Sequence, residues 1–175
     1  MQHEDHVNLL KKAIQKTGGT WADFGSGDGA FTLALSDLVG AKAQIYSIDK
    51  DKKRLENQED KFKHKFPNTD ITFILMDFTK ELKLPLLDGI LMANSLHYVK
   101  DQLNFFSFLK TYLKPNGKII IIEYNIDKSN PWVPYPLSFE SFKLLAKKAG
   151  FKDTKLCSRV DSSYWNEMYC ATTNI

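Results

Sequence analysis

The sequence predicts an α/β fold: a mostly parallel sheet with helices on its faces, closed by an antiparallel hairpin. Three observations lead there. Strand and helix signals alternate almost from end to end of the 175 residues. The stretch "WADFGSGDGAF" (21–31) sets a glycine-rich loop between a strand and a helix. The last two strand signals are joined by too few residues for a parallel crossover, so that pair must be antiparallel.

In order along the chain, a first helix of about residues 4–16 places Val7, Leu10 and Ile14 on one face and stops at Gly18-Gly19. A short strand at 20–24 leads into the glycine loop, and a helix runs on through Leu38. "AQIYSIDK" is a second strand, and residues 51–65 are a second crossover helix that closes before Pro67. "ITFILMD" is a third strand, whose near-continuous apolar run predicts cover on both faces. "LLDGILMANS" is a fourth, followed by a helix capped by Asp101 with Leu103, Phe106, Leu109 and Leu113 at helical spacing.

"LKPNGK" reads as a turn and "KIIIIEYN" as the fifth and best-buried strand. The Pro-rich "NIDKSNPWVPYPL" cannot be helix and reads as an ordered surface loop. Ser138 then caps a helix that turns Phe139, Phe142, Leu145 and Ala149 inward and ends at Gly150. "FKDTKLCSRV" and "EMYCATTN" form the closing hairpin. With no repeat or linker in view, residues 1–175 are expected to be a single domain.

Composition narrows the classes. A 43% hydrophobic and 26% charged chain is ordinary for a globular protein, and no apolar run approaches the ~18 residues a membrane helix needs. The N-terminus is polar and does not read as a secretory signal, so the cytoplasm is the expected location. Cys157 and Cys170 have no metal-ligand spacing; they are expected to be reduced structural thiols on successive strands, and no metal site is expected. The net charge of +3 is a mild excess, and the densest basic run, "KDKKRLENQEDKFKHKF", is interleaved with acids. That suits a solvated helix face better than a phosphate track, so nucleic acid is the disfavoured partner.

The glycine loop carries the chemistry. Gly25-Ser26-Gly27-Asp28-Gly29-Ala30 satisfies the Gly-x-Gly-x-x-Ala pattern of a dinucleotide site. Asp49 ends the next strand, where a carboxylate can accept from both hydroxyls of a ribose. An adenosine ribose occurs in more than one cofactor, so Asp49 does not choose between them. Asp23, ending the first strand, suits a ligand with an ammonium group rather than a pyrophosphate, and Asp28 at a helix start points the same way more weakly. Asp77-Phe78 ends the third strand, where the acid can accept from an adenine amino group while the ring covers the base; alternatively, Asp77 caps the following turn.

With these residues the sequence resembles class I S-adenosylmethionine-dependent methyltransferases over nearly its whole length. "WADFGSGDGAFTLAL" is similar to the family's first motif, "IYSIDKD" to its ribose acid and "MDFT" to its adenine-side acid. "DGILMANSLHYVKD" and "LKPNGKIIIIE" resemble the segments after strand four and before strand five, except that Asn116 stands where the family most often has Gly. The resemblance implies a Rossmann-like three-layer sandwich with a seven-stranded sheet of order 3-2-1-4-5-7-6 and an antiparallel C-terminal strand. It implies S-adenosyl-L-methionine as cofactor and S-adenosyl-L-homocysteine as product. Asp23, Gly25, Ser26 and Gly27 would hold the methionine portion, Asp49 and Lys50 would border the ribose, and Asp77 and Phe78 the adenine. Ala93 and Asn94 would contact the amino-acid end.

Methyl transfer from a sulfonium is an in-line displacement that gains much from positioning, so a base is needed only for some acceptors. His97, in "NSLHY" beyond strand four, is the candidate base, although the turn into the next helix can equally need a His there. Tyr98, Tyr124, Trp132, Tyr135, Tyr164 and Trp165 either wall an apolar or planar substrate or cover the core beneath long loops. His3 and His6 are expected to be solvated. The absence of an Asn-Pro-Pro-Tyr type motif argues against methylation of DNA bases or glutamine. The expected function is therefore methyl transfer to a small-molecule acceptor. An RNA methyltransferase, an NAD(P)-dependent oxidoreductase and a non-catalytic cofactor-binding protein are the alternatives, and the sequence leaves the oligomeric state open.

Overall fold

A computed structural model describes residues 1–175 other than 163, 165 and 166. Its organising element is strand β5 (Leu113–Tyr124), in which Ile119, Ile120, Ile121 and Ile122 are all fully buried. Side chains alternate across a strand, so this run feeds two cores at once. Ile119 and Ile121 pack with Phe24, Met92, Phe106 and Phe142 on one face of the sheet. Ile120 and Ile122 pack with Trp21, Leu35, Ile45 and Leu91 on the other.

Around it the sheet comprises β1 (Gly19–Phe24), β2 (Ala43–Asp49), β3 (Asp70–Leu75), β4 (Leu87–Ala93), β6 (Lys152–Asp161) and β7 (Glu167–Asn174). The strand order is β3-β2-β1-β4-β5-β7-β6. β7 lies antiparallel between β5 and β6, while β1 to β5 pair in parallel. This is the three-layer architecture with a reversed closing strand that the sequence predicts. Helices α1 (His3–Leu10) and α2 (Ala30–Val39) supply residues to the Trp21 side. On the other side lie α4 (Gln102–Leu109) and α5 (Phe139–Lys148). Helix α3 (Lys52–Lys65) flanks β2 and β3.

The Asp101 and Ser138 caps fall where the sequence places them, and Asp51 is a further one. Asp51, Asp101 and Ser138 each accept from a first-turn amide, of Arg54, Asn104 and Ser141 in turn. Asn116 adopts a φ of 67°, the left-handed conformation Asn tolerates, so its departure from Gly leaves the turn intact. That turn is a bulge inside β5: Leu113 pairs with Leu87 and Lys118 with Gly89, so residues 114–117 stand opposite Asp88 alone. The Pro-rich segment is irregular, and Cys157 and Cys170 are free thiols.

The structure departs from expectation at four places. Helix α1 stops at Leu10, because Ala13 N–H turns back to the Leu10 carbonyl (2.8 Å) and buries Ala13 and Ile14 instead of continuing outward. β3 is an edge strand with partial cover: Phe73 meets Phe62 of α3, but Leu75 and the following Met76 stay 52% and 43% exposed. Leu103 is exposed and Phe105 is buried in its stead. Leu113 belongs to β5, not to that helix.

Gly89 lies in β4 opposite Trp21, where an added Cβ would sit 2.2 Å from the indole ring. Gly89→Ala should therefore destabilise the protein by about 1–3 kcal/mol through overpacking, read as a lower denaturant midpoint at unchanged m-value.

Candidate functional site

Strand order reverses between β1 and β4, since the chain runs outward from β1 to β3 before returning to lay down β4. In an open α/β sheet, the crevice above the strand ends at such a reversal is where ligands bind. Gly25 follows β1 there and Asn94 follows β4. A cavity of about 680 Å³, lined by Gly18, Trp21, Asp88 and Lys118 among others, is at the opposite end of the sheet. One of its acids, Asp88, already accepts from Thr20 N–H and Lys114.

The loop after β1 keeps its amides to itself. Gly25 N–H and Ser26 N–H both donate to the Ile48 carbonyl (2.9 and 3.0 Å), Gly27 N–H to Asp49 Oδ2 (2.8 Å), and Gly29 N–H to the Ser26 carbonyl (3.0 Å). A phosphate-binding loop offers such donors to its ligand. Here four are spent on β2 or within the loop, so the Gly-x-Gly-x-x-Ala pattern does not make a phosphate cradle.

The glycines answer to packing. Gly25 has φ 80°, and a Cβ there would lie 2.6 Å from Ser95 Cβ and 3.0 Å from the Phe78 ring. Gly29 has φ 78°, and its Cβ would meet Gln58 at 2.3 Å. Gln58 is fully buried and joins its amide to the Gly27 carbonyl (3.1 Å), Ser26 Oγ (3.2 Å) and Ser47 Oγ (2.6 Å). Ser47 and Ser26 are linked in turn at 2.7 Å. This buried polar cluster fastens the loop to α3 and β2.

Asp23 is buried at the end of β1. Thr32 donates its hydroxyl to Oδ2 (2.6 Å), while Oδ1 is buried with no hydrogen-bond partner among the described residues. Burial pushes the carboxyl up to about 7; the Thr32 hydroxyl opposes this and the Asp49 carboxylate adds to it. An orphaned carboxylate oxygen under the crevice fits an ammonium group and would repel a pyrophosphate. The Asn94 side-chain oxygen is likewise buried and unpartnered, in a residue held at φ 51°. These two buried acceptor atoms together suit an ammonium group.

Asp49 accepts from Gly27 N–H and Asp51 N–H, one on each oxygen, which leaves each a further lone pair for a ribose hydroxyl. Lys50 beside it is exposed. Asp77 does cap its own turn: Oδ1 takes the Thr79 N–H (2.9 Å) and hydroxyl (2.7 Å), and the backbone bond above all holds its carboxyl below the usual range. Its other oxygen is left for a ligand, so capping and binding are compatible. Phe78 is half-buried against Phe24 and Phe105, and Ala93 ends β4.

On the other side of Asn94, His97 is 2% exposed and Glu123 1%. His97 Nδ1 lies 2.6 Å from Glu123 Oε2, and His97 N–H donates to Oε1 at 3.2 Å. His97 also helps line a cavity of about 470 Å³ with Asn94, Tyr98, Tyr124, Trp132, Val133 and Tyr164. Asn94, Tyr124 and Tyr164 are shared with a second cavity of about 510 Å³ that reaches His6, Phe31 and Asp161. Tyr135 is not among the lining residues; its N–H donates to the His97 carbonyl (3.0 Å) and so pins the Pro-rich segment over the 3-10 turn Leu96–Tyr98. Trp165 lies outside the described residues. His6 departs from expectation: it is half-buried, edge-on to Phe31 at 4.6 Å. Its Nδ1 is buried without a partner among the described residues.

Gln58, Ser47, Thr32, Ser95 and Glu123 went unread in the sequence. Glu123 alone gave a signal, as a lone acid ending a run of four isoleucines. The others are polar residues whose roles arise only from tertiary contact. Among the described residues, no grouping of His, Cys, Asp and Glu could hold a metal, and no helix is long and apolar enough to cross a membrane.

Comparison with known proteins agrees with this geometry. A family profile described as a methyltransferase domain matches residues 15–170. A S-adenosylmethionine-dependent methyltransferase from Aquifex aeolicus is 26% identical with a TM-score of 0.69, over 97% of this chain and 88% of that one. The N-methyltransferase NodS from Bradyrhizobium japonicum, solved with S-adenosyl-L-homocysteine, is 17% identical with a TM-score of 0.77, over 98% and 85%. An arsenic(III) S-adenosylmethionine methyltransferase from Chlamydomonas reinhardtii is 18% identical with a TM-score of 0.71, over 90% of this chain and 63% of that one. Curated protein sequences gave no match.

Asp23 yields a prediction with opposite signs for stability and binding. Its folded pKa of about 7 exceeds the unfolded 3.8, so the native state holds the extra proton between these values and its stability falls as pH rises through that window. Asp23→Asn should raise the melting temperature of the unliganded protein at pH 8, with the difference shrinking toward pH 5. In the same variant S-adenosylmethionine should bind about tenfold or more weakly by calorimetry.

Proposed function

Since the chain belongs to the class I S-adenosylmethionine-dependent methyltransferases, we propose that it transfers the cofactor's methyl group to a small-molecule acceptor in the cleft beside Asn94. The observation that carries the cofactor's placement is the pairing of a glycine loop without free phosphate donors and a buried, half-satisfied Asp23. Asp23 and Asn94 take the amino-acid end, with Gly25, Ser26 and Gly27 as the floor beneath it and Ala93 at the tip of β4. Asp49 and Lys50 take the ribose, and Asp77 with Phe78 the adenine. Bound S-adenosylmethionine supplies an electrophilic methyl group, whose bond to sulfur breaks as the bond to the acceptor forms.

The chain's own residues orient the acceptor and exclude water. Tyr98, Tyr124, Trp132 and Tyr164 wall the acceptor cavity, Tyr135 anchors its covering segment, and His97 is the residue within it able to take a proton. A volume of about 470 Å³ lies in the range of small-molecule sites. Among the described residues, no Lys or Arg, which an RNA substrate would call for, lines either cavity beside Asn94.

Titration calorimetry should show binding of S-adenosylmethionine and S-adenosylhomocysteine and none of NAD; the reverse would overturn the cofactor assignment. Asp49→Ala should weaken S-adenosylmethionine binding at least about tenfold, equivalent to about 1.4 kcal/mol, through lost ribose hydrogen bonds.

A further inference from the structure

Glu123 is out of place by every structural criterion. It ends the most apolar strand of the protein, follows four fully buried isoleucines, and is itself 1% exposed. Among the described residues it forms an ion pair with His97, also buried. Burying such a pair gains little stability over apolar residues of the same volume, so stability alone does not account for it. What the pair does achieve is orientation. An ionised carboxylate only accepts hydrogen bonds, and Glu123 receives two: His97 N–H on Oε1 and the ring Nδ1 on Oε2 at 2.6 Å. The imidazole proton is therefore held on Nδ1, and the Nε2 lone pair has no hydrogen-bond partner among the described residues. His97 lines the acceptor cavity, so a prepared proton acceptor stands at its wall.

The rest of that wall is unusual in another way. Tyr98, Trp132 and Tyr164 are 60%, 69% and 78% exposed, yet all three border this one cavity together with Tyr124 and Val133. Among the described residues, no Lys, Arg, Asp or Glu lines it. Aromatic faces without a countercharge suit a flat, uncharged ligand. The nearby sulfonium repels a cationic acceptor and attracts one that becomes an anion as it loses a proton.

We propose that the acceptor is an uncharged planar ring compound carrying a hydroxyl, held between Tyr98, Tyr124, Trp132 and Tyr164 and deprotonated by His97, with Glu123 as the positioning residue. This rests on the methyltransferase reading above. The hydroxyl proton passes to His97 Nε2 and the freed oxygen pair forms the bond to the methyl carbon. The carbon–sulfur pair leaves with sulfur, which becomes the neutral thioether of S-adenosylhomocysteine. The imidazolium, steadied by Glu123, returns its proton to solvent once the product departs.

The test combines product chemistry with two readouts of the dyad. Full-length protein is incubated with methyl-labelled S-adenosylmethionine and a small-molecule cell extract, and the labelled products are analysed for linkage. Aryl or enol methyl ethers are expected; label on an amine, a thiol, a carboxylate or RNA, or no labelled product while S-adenosylmethionine binds normally, overturns the proposal. Failure to bind S-adenosylmethionine at all would instead overturn the underlying functional reading. With the acceptor so found, Glu123→Gln should lower kcat about tenfold or more at little change in KM. A rise in KM with kcat unchanged contradicts the positioning role. His97→Gln should lower kcat about 10²–10⁴-fold with cofactor affinity unchanged. In the wild-type protein without cofactor, long-range ¹H–¹⁵N spectra should show the His97 proton on Nδ1 at neutral pH, and a proton on Nε2 of the neutral ring would contradict the assignment.

Discussion

Everything at the site depends on the way the loop after β1 turns its hydrogen bonds inward. The Ile48 carbonyl takes two of its amides, Asp49 a third, and the Gln58 carboxamide binds the Gly27 carbonyl and the Ser26 hydroxyl. A loop so fixed has a rigid surface and few free donors. It can support the sulfonium amino acid but cannot wrap a phosphate. The same contacts explain Gly29, whose missing Cβ makes room for Gln58, and so bring α3 into the construction of the site.

Two buried carboxylates stand at either side of Asn94, and both weigh against stability. Asp23 leaves one oxygen unpaired beneath the crevice, and its carboxyl rises to about 7 through burial. Glu123 is paired, but only with a histidine that shares its dry surroundings. Strain of this kind persists where the bound state relieves it. In the proposed reaction an ammonium group would complete the coordination of Asp23, and a proton drawn from the acceptor would give Glu123 a full cation to face. The two acids would then mark the two ends of the reaction, one holding the cofactor's charge and the other steadying the charge that forms during transfer.

The architecture was legible because its signals are local and repeated. Four consecutive isoleucines announce a strand buried on both faces, and the short link before "EMYCATTN" requires the antiparallel ending. Asp23 and Asp49 could be singled out because each stands at the end of a strand that the pattern locates, and Asn94 through the family resemblance. The misreadings share one physical origin, which is that neighbours are invisible in sequence. "ITFILMD" has the composition of a central strand, yet β3 is an edge and leaves Leu75 exposed. Gln58 has the appearance of a solvated helix residue amid Lys and Glu, and only the fold turns it inward onto the loop. His97 stood between a structural and a chemical role because its buried partner Glu123 is 26 residues away.

The central claim is that Asp23, partly protonated in the free protein, ionises to meet the ammonium group of S-adenosylmethionine. The most direct measurement is the proton balance of binding, obtained by titration calorimetry at pH 6.5 in buffers of different ionisation enthalpy. With a free-state pKa of about 7, the account predicts release of about half a proton or more per cofactor bound, abolished in Asp23→Asn. Binding with no proton release, or with release undiminished in that variant, would contradict it.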